Sequence, residues 1–179
     1  MDELLELAQR VCAEAQALGI PTAIIGGLAL AHHGYVRATI DVDLASATSF
    51  DGPLRRLAEQ LRARGLHVDV RAPDVGDPLA GVLRVRATPD GDPVDLVNFR
   101  PSDLLGRRAV EHAETAADGF RYVGLAELVA LKLYAGSRFD LDDVARVLEV
   151  RTDAELAEVR VLARAVGLEA LLDRALAPR

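Results

Sequence analysis

The chain has 179 residues, of which 50% are hydrophobic and 27% charged, a composition typical of a globular protein with one domain of ordinary size. Aromatic residues make up only 4% and Trp is absent, so aromatic stacking platforms for nucleic acid are not expected. The net charge of −7, from 28 acids and 21 Lys and Arg, disfavours strong non-specific binding to nucleic acid. This average leaves room for a local basic patch.

Three features of the sequence predict a soluble, cytoplasmic protein without a membrane segment. The single cysteine, Cys12, allows no intramolecular disulfide, which fits a reducing compartment. The first ten residues are acidic and amphipathic, unlike a secretory signal peptide. No apolar stretch reaches the length of about 18 residues that spans a bilayer.

Hydrophobic periodicity predicts mixed helices and strands in the first part of the chain and helices alone after it. The predicted elements of the first part are helices at 2–18, 28–33 and 51–64 and strands at 20–25, 37–45, 67–71, 82–88 and 94–99. The helices that follow are predicted at 102–113, 124–137, 141–149, 153–166 and 168–176. The fold class is therefore expected to be α+β, with an α+β domain at 1–118 and a helical part at 119–179, or one continuous domain.

A segment of strictly alternating polar and apolar residues follows the first predicted strand. As a strand, it would put Arg37, Thr39, Asp41 and Asp43 on one face and apolar residues such as Ile40 in the core. A solvated strand face is one interpretation. However, Asp is depleted in strands, and two Asp at i and i+2, about 6.5 Å apart, repel each other unless a cation lies between them. Oxygen-only ligands suit Mg²⁺.

A glycine pair precedes this segment. Gly26 and Gly27 end a predicted strand and open a predicted helix, where the backbone can approach a phosphate and free N–H groups point at it. Most such pairs are turns, and the Gly-Lys-Ser/Thr of a P-loop is missing. An anion cradle followed by a carboxylate pair is a stronger signal, because a nucleoside triphosphate needs both.

A third carboxylate, Asp95, is the only acid of the predicted strand at 94–99. A third acid fits two-metal chemistry, in which a further group must activate the attacking hydroxyl. The alternative is a gatekeeper charge that protects an edge strand.

Together these motifs resemble the signature of the DNA polymerase beta-like nucleotidyltransferase superfamily, in particular its small bacterial members and its abortive-infection type toxins. The resemblance covers about residues 20 to 100. The residues that carry it are Gly26, Gly27, His33, Gly34, Arg37, Thr39, Asp41, Asp43 and Asp95.

The resemblance implies a minimal nucleotidyltransferase fold, a mixed sheet of about five strands with helices mainly on one face. It also implies metal-dependent transfer of a nucleoside monophosphate from an NTP to a hydroxyl of an RNA end, a protein or a small molecule, with release of pyrophosphate. Asp41 and Asp43 would hold two Mg²⁺ ions, with Mn²⁺ as an alternative metal. Asp95 would hold one of them and serve as general base.

The resemblance also implies that Gly26, Gly27, Arg37 and Thr39 bind the nucleotide. The same fold could instead serve as a non-catalytic nucleotide-binding module or a toxin–antitoxin partner module, with a cognate antitoxin bound to it. The carboxylates are intact, which argues against a non-catalytic module, since a site that has lost its activity usually loses one of them. A sugar-nucleotide glycosyltransferase also uses Asp-x-Asp, but such enzymes are generally longer and carry no Gly-Gly helix start before the motif.

The only lysine of the chain, Lys132, lies in the helical part. It shares one helical arc with Leu125, Leu128 and Val129. It is either a lysine that extends along the edge of the core to reach water or a residue that reaches the triphosphate. We include Lys132 among the candidate nucleotide-binding residues on the second interpretation.

Two further groups of charged residues have ordinary explanations. Asp140, Asp142 and Asp143 are expected to cap and stabilise a helix start. Arg84 and Arg86 share one face of the strand next to that of the third carboxylate. There they either form a solvated face or bind phosphates or an RNA backbone.

Overall fold

The computed structural model describes residues 2–74, 76–77 and 79–177. Its helices are α1 (Asp2–Ala17), α2 (Gly26–His32), α3 (Arg55–Ala63), α4 (Leu104–Glu111), α5 (Leu125–Ala135), α6 (Arg138–Leu148), α7 (Asp153–Ala165) and α8 (Glu169–Leu176). Its strands are β1 (Ala23–Ile25), β2 (Val42–Ala47), β3 (His67–Arg71), β4 (Leu79–Arg86), β5 (Val94–Phe99), β6 (Glu114–Thr115) and β7 (Arg121–Tyr122). An irregular helical turn at Phe50–Leu54 leads into α3.

The strands form one mixed sheet in the order β3-β4-β5-β2-β1-β7-β6. Strand β2 runs parallel to β5 and antiparallel to β1, and β4 runs antiparallel to β3 and β5. The predicted α+β class and the helical C-terminal part are confirmed, and all five predicted strands lie in this sheet. The two further strands, β6 and β7, are two residues long each, which is too short to show alternation.

Strand β7 pairs with β1, so the sheet continues past residue 118. The division into 1–118 and 119–179 stays a prediction. In the helical part, α5 packs on α7 and α6 on α8, and α5 also contacts α2 and α4. Among the described residues, none of the helices is both long and apolar enough to cross a membrane.

The two faces of the sheet are buried in different ways. On one face Leu44 and Leu96 join a large core with residues of α1 and α3. On the other face Ala45 and Phe99 pack against α4. A Cβ atom on Gly106 of α4 would overlap the Phe99 ring, so this glycine allows the close approach of α4 to β5. This second face also carries the acids at the starts of β2 and β5.

The predicted strand at 37–45 is wrong in its first half, because β2 begins only at Val42. Strand β2 has a partner on each side. Its pairing with β5 starts at Val94, after Pro93, and its pairing with β1 stops at Ile25, which lies opposite Asp43. Residues before Val42 therefore have no strand beside them, and the chain enters the sheet as a loop. Ile40, expected in the core, is 76% exposed.

Candidate active site

The three predicted acids lie together at one end of the sheet. Asp43 and Asp95 are partners in the register of the parallel strands β2 and β5, so their side chains project from the same face. Asp41 precedes β2 by one residue. Burial, reinforced by the charges of Asp41 and Asp95, raises the pKa of Asp43 to about 6. The roles of the three acids in metal binding and catalysis stay predictions.

The glycine pair lies directly against this acid cluster. Gly26 opens α2 with a φ of +66°, and a Cβ atom on it would overlap the Asp43 carboxylate. A Cβ atom on Gly27 would lie 2.9 Å from Cβ and Oγ1 of Thr39. Within the described part of the chain, no side chain caps the first turn of α2. Both glycines are therefore needed for the close packing of the start of α2 against Asp43 and Thr39.

The loop before β2 is held by its own polar side chains. Thr39 Oγ1 donates a hydrogen bond of 2.7 Å to Oδ1 of Asp41, which orients that carboxylate. Arg37 Nε donates a hydrogen bond of 3.2 Å to Oδ2 of Asp143 on α6 and lies 3.1 Å from Oδ1. Arg37 therefore ties the loop to the helical part, and its positive charge acts on Asp43 by lowering the pKa of that acid.

Lys132 of α5 forms a buried ion pair with two acids of α6. Its Nζ lies 2.8 Å from Oδ1 of Asp140 and 2.9 Å from Oδ2 of Asp143. The side chains of Lys132 and Asp143 are only 11% and 5% exposed. Burial alone would lower the pKa of Lys132, but these two acids raise it above its usual value. Lys132 also lowers the pKa of Asp43, so it acts on the acid cluster from the helical side.

The acids of α6 differ from the expected helix start. The helix begins at Arg138, and its N-cap is Ser137, which forms a capping box with Asp140. Asp140 thus stabilises the first turn, as expected, and also binds Lys132. Asp143 lies farther along the helix and is buried beside Arg37 and Lys132, so its assignment to the helix start is wrong. Its spacing of four from the apolar Val147 was the available signal, since both share one helical face.

Arg84 forms a two-pronged ion pair with the third acid. Its Nε and Nη2 donate hydrogen bonds of 2.8 and 2.6 Å to Oδ1 and Oδ2 of Asp95. The two residues are register partners on β4 and β5. Asp95 is 9% exposed as a residue, whereas the Arg84 side chain is 50% exposed. Arg84 thus supplies the charge that compensates Asp95 and remains accessible from outside.

Comparison with known proteins gives structural matches only. No protein-family model matches the chain, and no curated protein matches it significantly. The solution structure of the antibiotic-resistance factor ANT(2'')-Ia is 18% identical over 98% of this chain and 91% of that chain, with a TM-score of 0.51. The crystal structure of ANT(2'')-Ia in complex with adenylyl-2''-tobramycin is 16% identical over 98% and 97% of the two chains, with a TM-score of 0.50.

The chain has the nucleotidyltransferase fold. The fold that the sequence motifs implied is thereby confirmed. At this level of identity the similarity extends to the fold alone.

A nucleotidyltransferase fold with clustered acids implies a divalent metal ion, and the residues fit it in part. Asp41 and Asp43 offer the oxygen donors that Mg²⁺ prefers. Burial raises the pKa of Asp43 first and the charges of Asp41 and Asp95 raise it further, and a cation would offset that crowding of charge. Both oxygens of Asp95 accept hydrogen bonds from Arg84. Among the described residues, no group of three or more His, Cys, Asp or Glu side chains is arranged to hold a metal ion. Arg84 thus competes with a metal ion for Asp95, which can bind a metal ion through the lone pairs that remain or after Arg84 turns away.

Proposed function

We propose that the chain transfers a nucleoside monophosphate from an NTP to a hydroxyl acceptor, with release of pyrophosphate, in a reaction that depends on a divalent metal. One observation supports this most directly. Asp43 and Asp95 are paired across adjacent parallel strands, with Asp41 close by and the backbone of Gly26 packed against Asp43. An anion cradle and a carboxylate cluster are thus next to each other, as a nucleoside triphosphate complexed with a metal ion requires.

In this mechanism the chain orients both reactants and takes up one proton. The N–H groups of Gly26 and Gly27 bind the triphosphate, and Lys132 contributes positive charge from the helical side. Asp95 takes the proton of the acceptor hydroxyl. The acceptor oxygen then bonds to the α-phosphorus, and the bond from that phosphorus to the oxygen bridging to the β-phosphorus breaks. Pyrophosphate leaves with the electron pair.

The metal site in this proposal is built on Asp41 and Asp43, with Thr39 orienting the first of them. Mg²⁺, or Mn²⁺ in its place, would neutralise charge on the α-phosphate and on the leaving pyrophosphate. Two ions, as the resemblance implies, would need Asp95 as a shared ligand, through lone pairs that Arg84 leaves open or exposes by turning away. Arg37 stays part of the nucleotide site through the loop that it anchors to α6.

The test is incubation with each of the four labelled NTPs, Mg²⁺ and three acceptor pools: total RNA, total protein and small hydroxyl compounds. The proposal predicts that label enters one pool and that the double variant Asp41→Asn/Asp43→Asn abolishes it. Asp173→Asn, a change in an exposed ion pair on α8, is the control and should label normally. Nucleotide binding without turnover in the wild-type chain would support the non-catalytic alternative.

A further inference from the structure

A row of charged side chains crosses four neighbouring strands of the sheet. Asp43 of β2 is registered with Asp95 of β5, which is registered with Arg84 of β4, which is registered with Asp69 of β3. Side chains at paired positions project from the same face. The row therefore leads from the acid cluster outward over β4 and β3, away from the glycine pair at the end of β1.

The outer part of this row opens into a hollow of about 300 Å³, which we call the arginine hollow. It is lined by Asp69, Arg71, Val82, Arg84 and Arg86. Arg86 pairs with the exposed Asp69, and Arg84 pairs with the acid of β5. The side chain of Arg71 makes no hydrogen bond or ion pair with another described residue. Three arginines thus meet two aspartates, Asp69 in the lining and the Asp95 that pairs with Arg84, which leaves one positive charge in excess in a chain whose net charge is −7.

We propose that the arginine hollow binds phosphate groups of the acceptor and thereby places the acceptor hydroxyl at Asp95. This inference rests on the proposed nucleotidyl transfer and names the acceptor class as phosphate-bearing. Guanidinium groups bind phosphate oxygens through two parallel hydrogen bonds, which fits such a lining. A polycationic acceptor offers these guanidinium groups no acceptor oxygen of this kind.

The position of the arginine hollow favours the acceptor over the NTP. In an in-line displacement, the attacking oxygen and the leaving pyrophosphate lie on opposite sides of the α-phosphorus. Gly26 and Lys132, proposed to hold the triphosphate, act on the acid cluster from the β1 and α5 sides. The arginine hollow lies on the other side, beyond Asp95.

Arg84 connects the two sites. Its guanidinium bonds to both oxygens of Asp95 and also lines the arginine hollow. A phosphate in the hollow competes for these donors. When Arg84 turns toward that phosphate, Asp95 is released and can accept the proton of the acceptor hydroxyl. In this way the free carboxylate forms only when an acceptor is present.

The first experiment measures binding without catalysis. The anisotropy of a short, fluorescently labelled single-stranded RNA is measured in EDTA over a series of salt concentrations. The second probe, an unlabelled ribonucleoside monophosphate, is added as a competitor for the RNA. The double variant Arg71→Gln/Arg86→Gln should bind RNA about tenfold or more weakly. Its slope of log affinity against log salt should fall by about 1.4, the value for two lost phosphate contacts on a single strand.

The control for this experiment is Arg164→Gln, which removes an exposed arginine on α7 that pairs with Glu169. It should leave both affinity and salt slope unchanged. Competition by the monophosphate at low concentration would indicate a small phosphorylated acceptor. Its failure to compete, with RNA still bound, would indicate a strand. Equal RNA binding by the double variant and wild type, or no binding of either probe, would overturn the proposal.

The second experiment separates this inference from the proposed function. RNA, the monophosphate and the polycation tobramycin are offered as acceptors together with labelled NTP and Mg²⁺. Labelling of tobramycin alone would overturn the phosphate-bearing acceptor and leave nucleotidyl transfer standing. No labelling of these acceptors or of the total protein pool, with RNA binding still lost in Arg71→Gln/Arg86→Gln, would retain the phosphate site and overturn nucleotidyl transfer.

Discussion

Gly26 and Asp43 are packed so closely that no side chain fits between them. A Cβ atom at position 26 would overlap the Asp43 carboxylate, and the φ of +66° is one that residues other than glycine rarely adopt. The start of α2 and the acid of β2 therefore form one unit. The backbone of Gly26 and the Asp43 carboxylate lie against each other, which brings the phosphate and metal parts of the proposed site together.

Gly26→Ala should destabilise the protein and abolish nucleotidyl transfer, because the new methyl group displaces Asp43. The matched control is Gly19→Ala. Gly19 has a similar φ of +70°, but among the described residues no atom lies within 4 Å of the position that its new methyl group would take. Both variants bear the cost of a left-handed backbone, about 1–2 kcal/mol. Urea unfolding should show a larger loss for Gly26→Ala, and equal losses would contradict the packing described above.

The stability of the metal-free protein should fall as pH rises from about 4 to about 6. In this interval folded Asp43, with its pKa raised to about 6, still holds a proton that the unfolded chain has released. The loss attributable to this carboxyl is at most about 3 kcal/mol. Asp43→Asn should remove this component and be more stable than wild type above pH 6. Urea unfolding in EDTA at several pH values tests this, and parallel profiles for the two proteins would contradict it.

Mg²⁺ should raise the melting temperature of the wild-type chain at pH 7.5, because a cation between Asp41 and Asp43 offsets their repulsion. The rise should be lost in Asp41→Asn and Asp43→Asn and retained in the control Asp173→Asn.

Arg84→Gln frees the oxygens of Asp95 and should tighten Mg²⁺ binding several-fold while lowering metal-free stability. Titration calorimetry gives the affinities. Unchanged binding in Arg84→Gln would contradict competition between Arg84 and the metal ion for Asp95.

Lys132→Met should cost about 3 kcal/mol of stability, because it leaves Asp140 without a cation and Asp143 with Arg37 alone. The double variant Lys132→Met/Asp140→Asn removes the charge that is left unpaired and should recover part of that loss. Affinity for a triphosphate should stay low in both variants if Lys132 also contacts phosphate. Recovery of affinity together with stability in the double variant would show that the lysine is structural.

The sequence predicted the acid cluster because its signal is local. Asp41, Asp43 and Asp95 stand out as acids in or beside short apolar strands. Side chains alternate between the two faces along each strand, so Asp43 and Asp95 project from the same face once β2 and β5 pair in this register. The same local rule failed at Ile40, because alternation continues in the sequence beyond the point where strand partners exist.

The ion pairs around the acids could not be predicted, because each depends on a distant contact. The Arg84–Asp95 pair is set by the register of β4 on β5, and the contacts of Asp143 with Arg37 and Lys132 by the packing of α6. Lys132 was identified as unusual from its apolar helical arc. Its partners, however, lie on the next helix, and the periodicity of one helix does not predict which residues of another helix pack against it.

The position of the label in the nucleotide distinguishes nucleotidyl transfer from every other use of this fold. The chain is incubated with Mg²⁺, an acceptor pool and NTP labelled at either the α- or the γ-phosphate. Nucleotidyl transfer predicts that α-label becomes attached to the acceptor while γ-label leaves as pyrophosphate, and that Asp43→Asn stops both. Attachment of γ-label to the acceptor, release of γ-label as free phosphate, or equal activity in Asp43→Asn would contradict it.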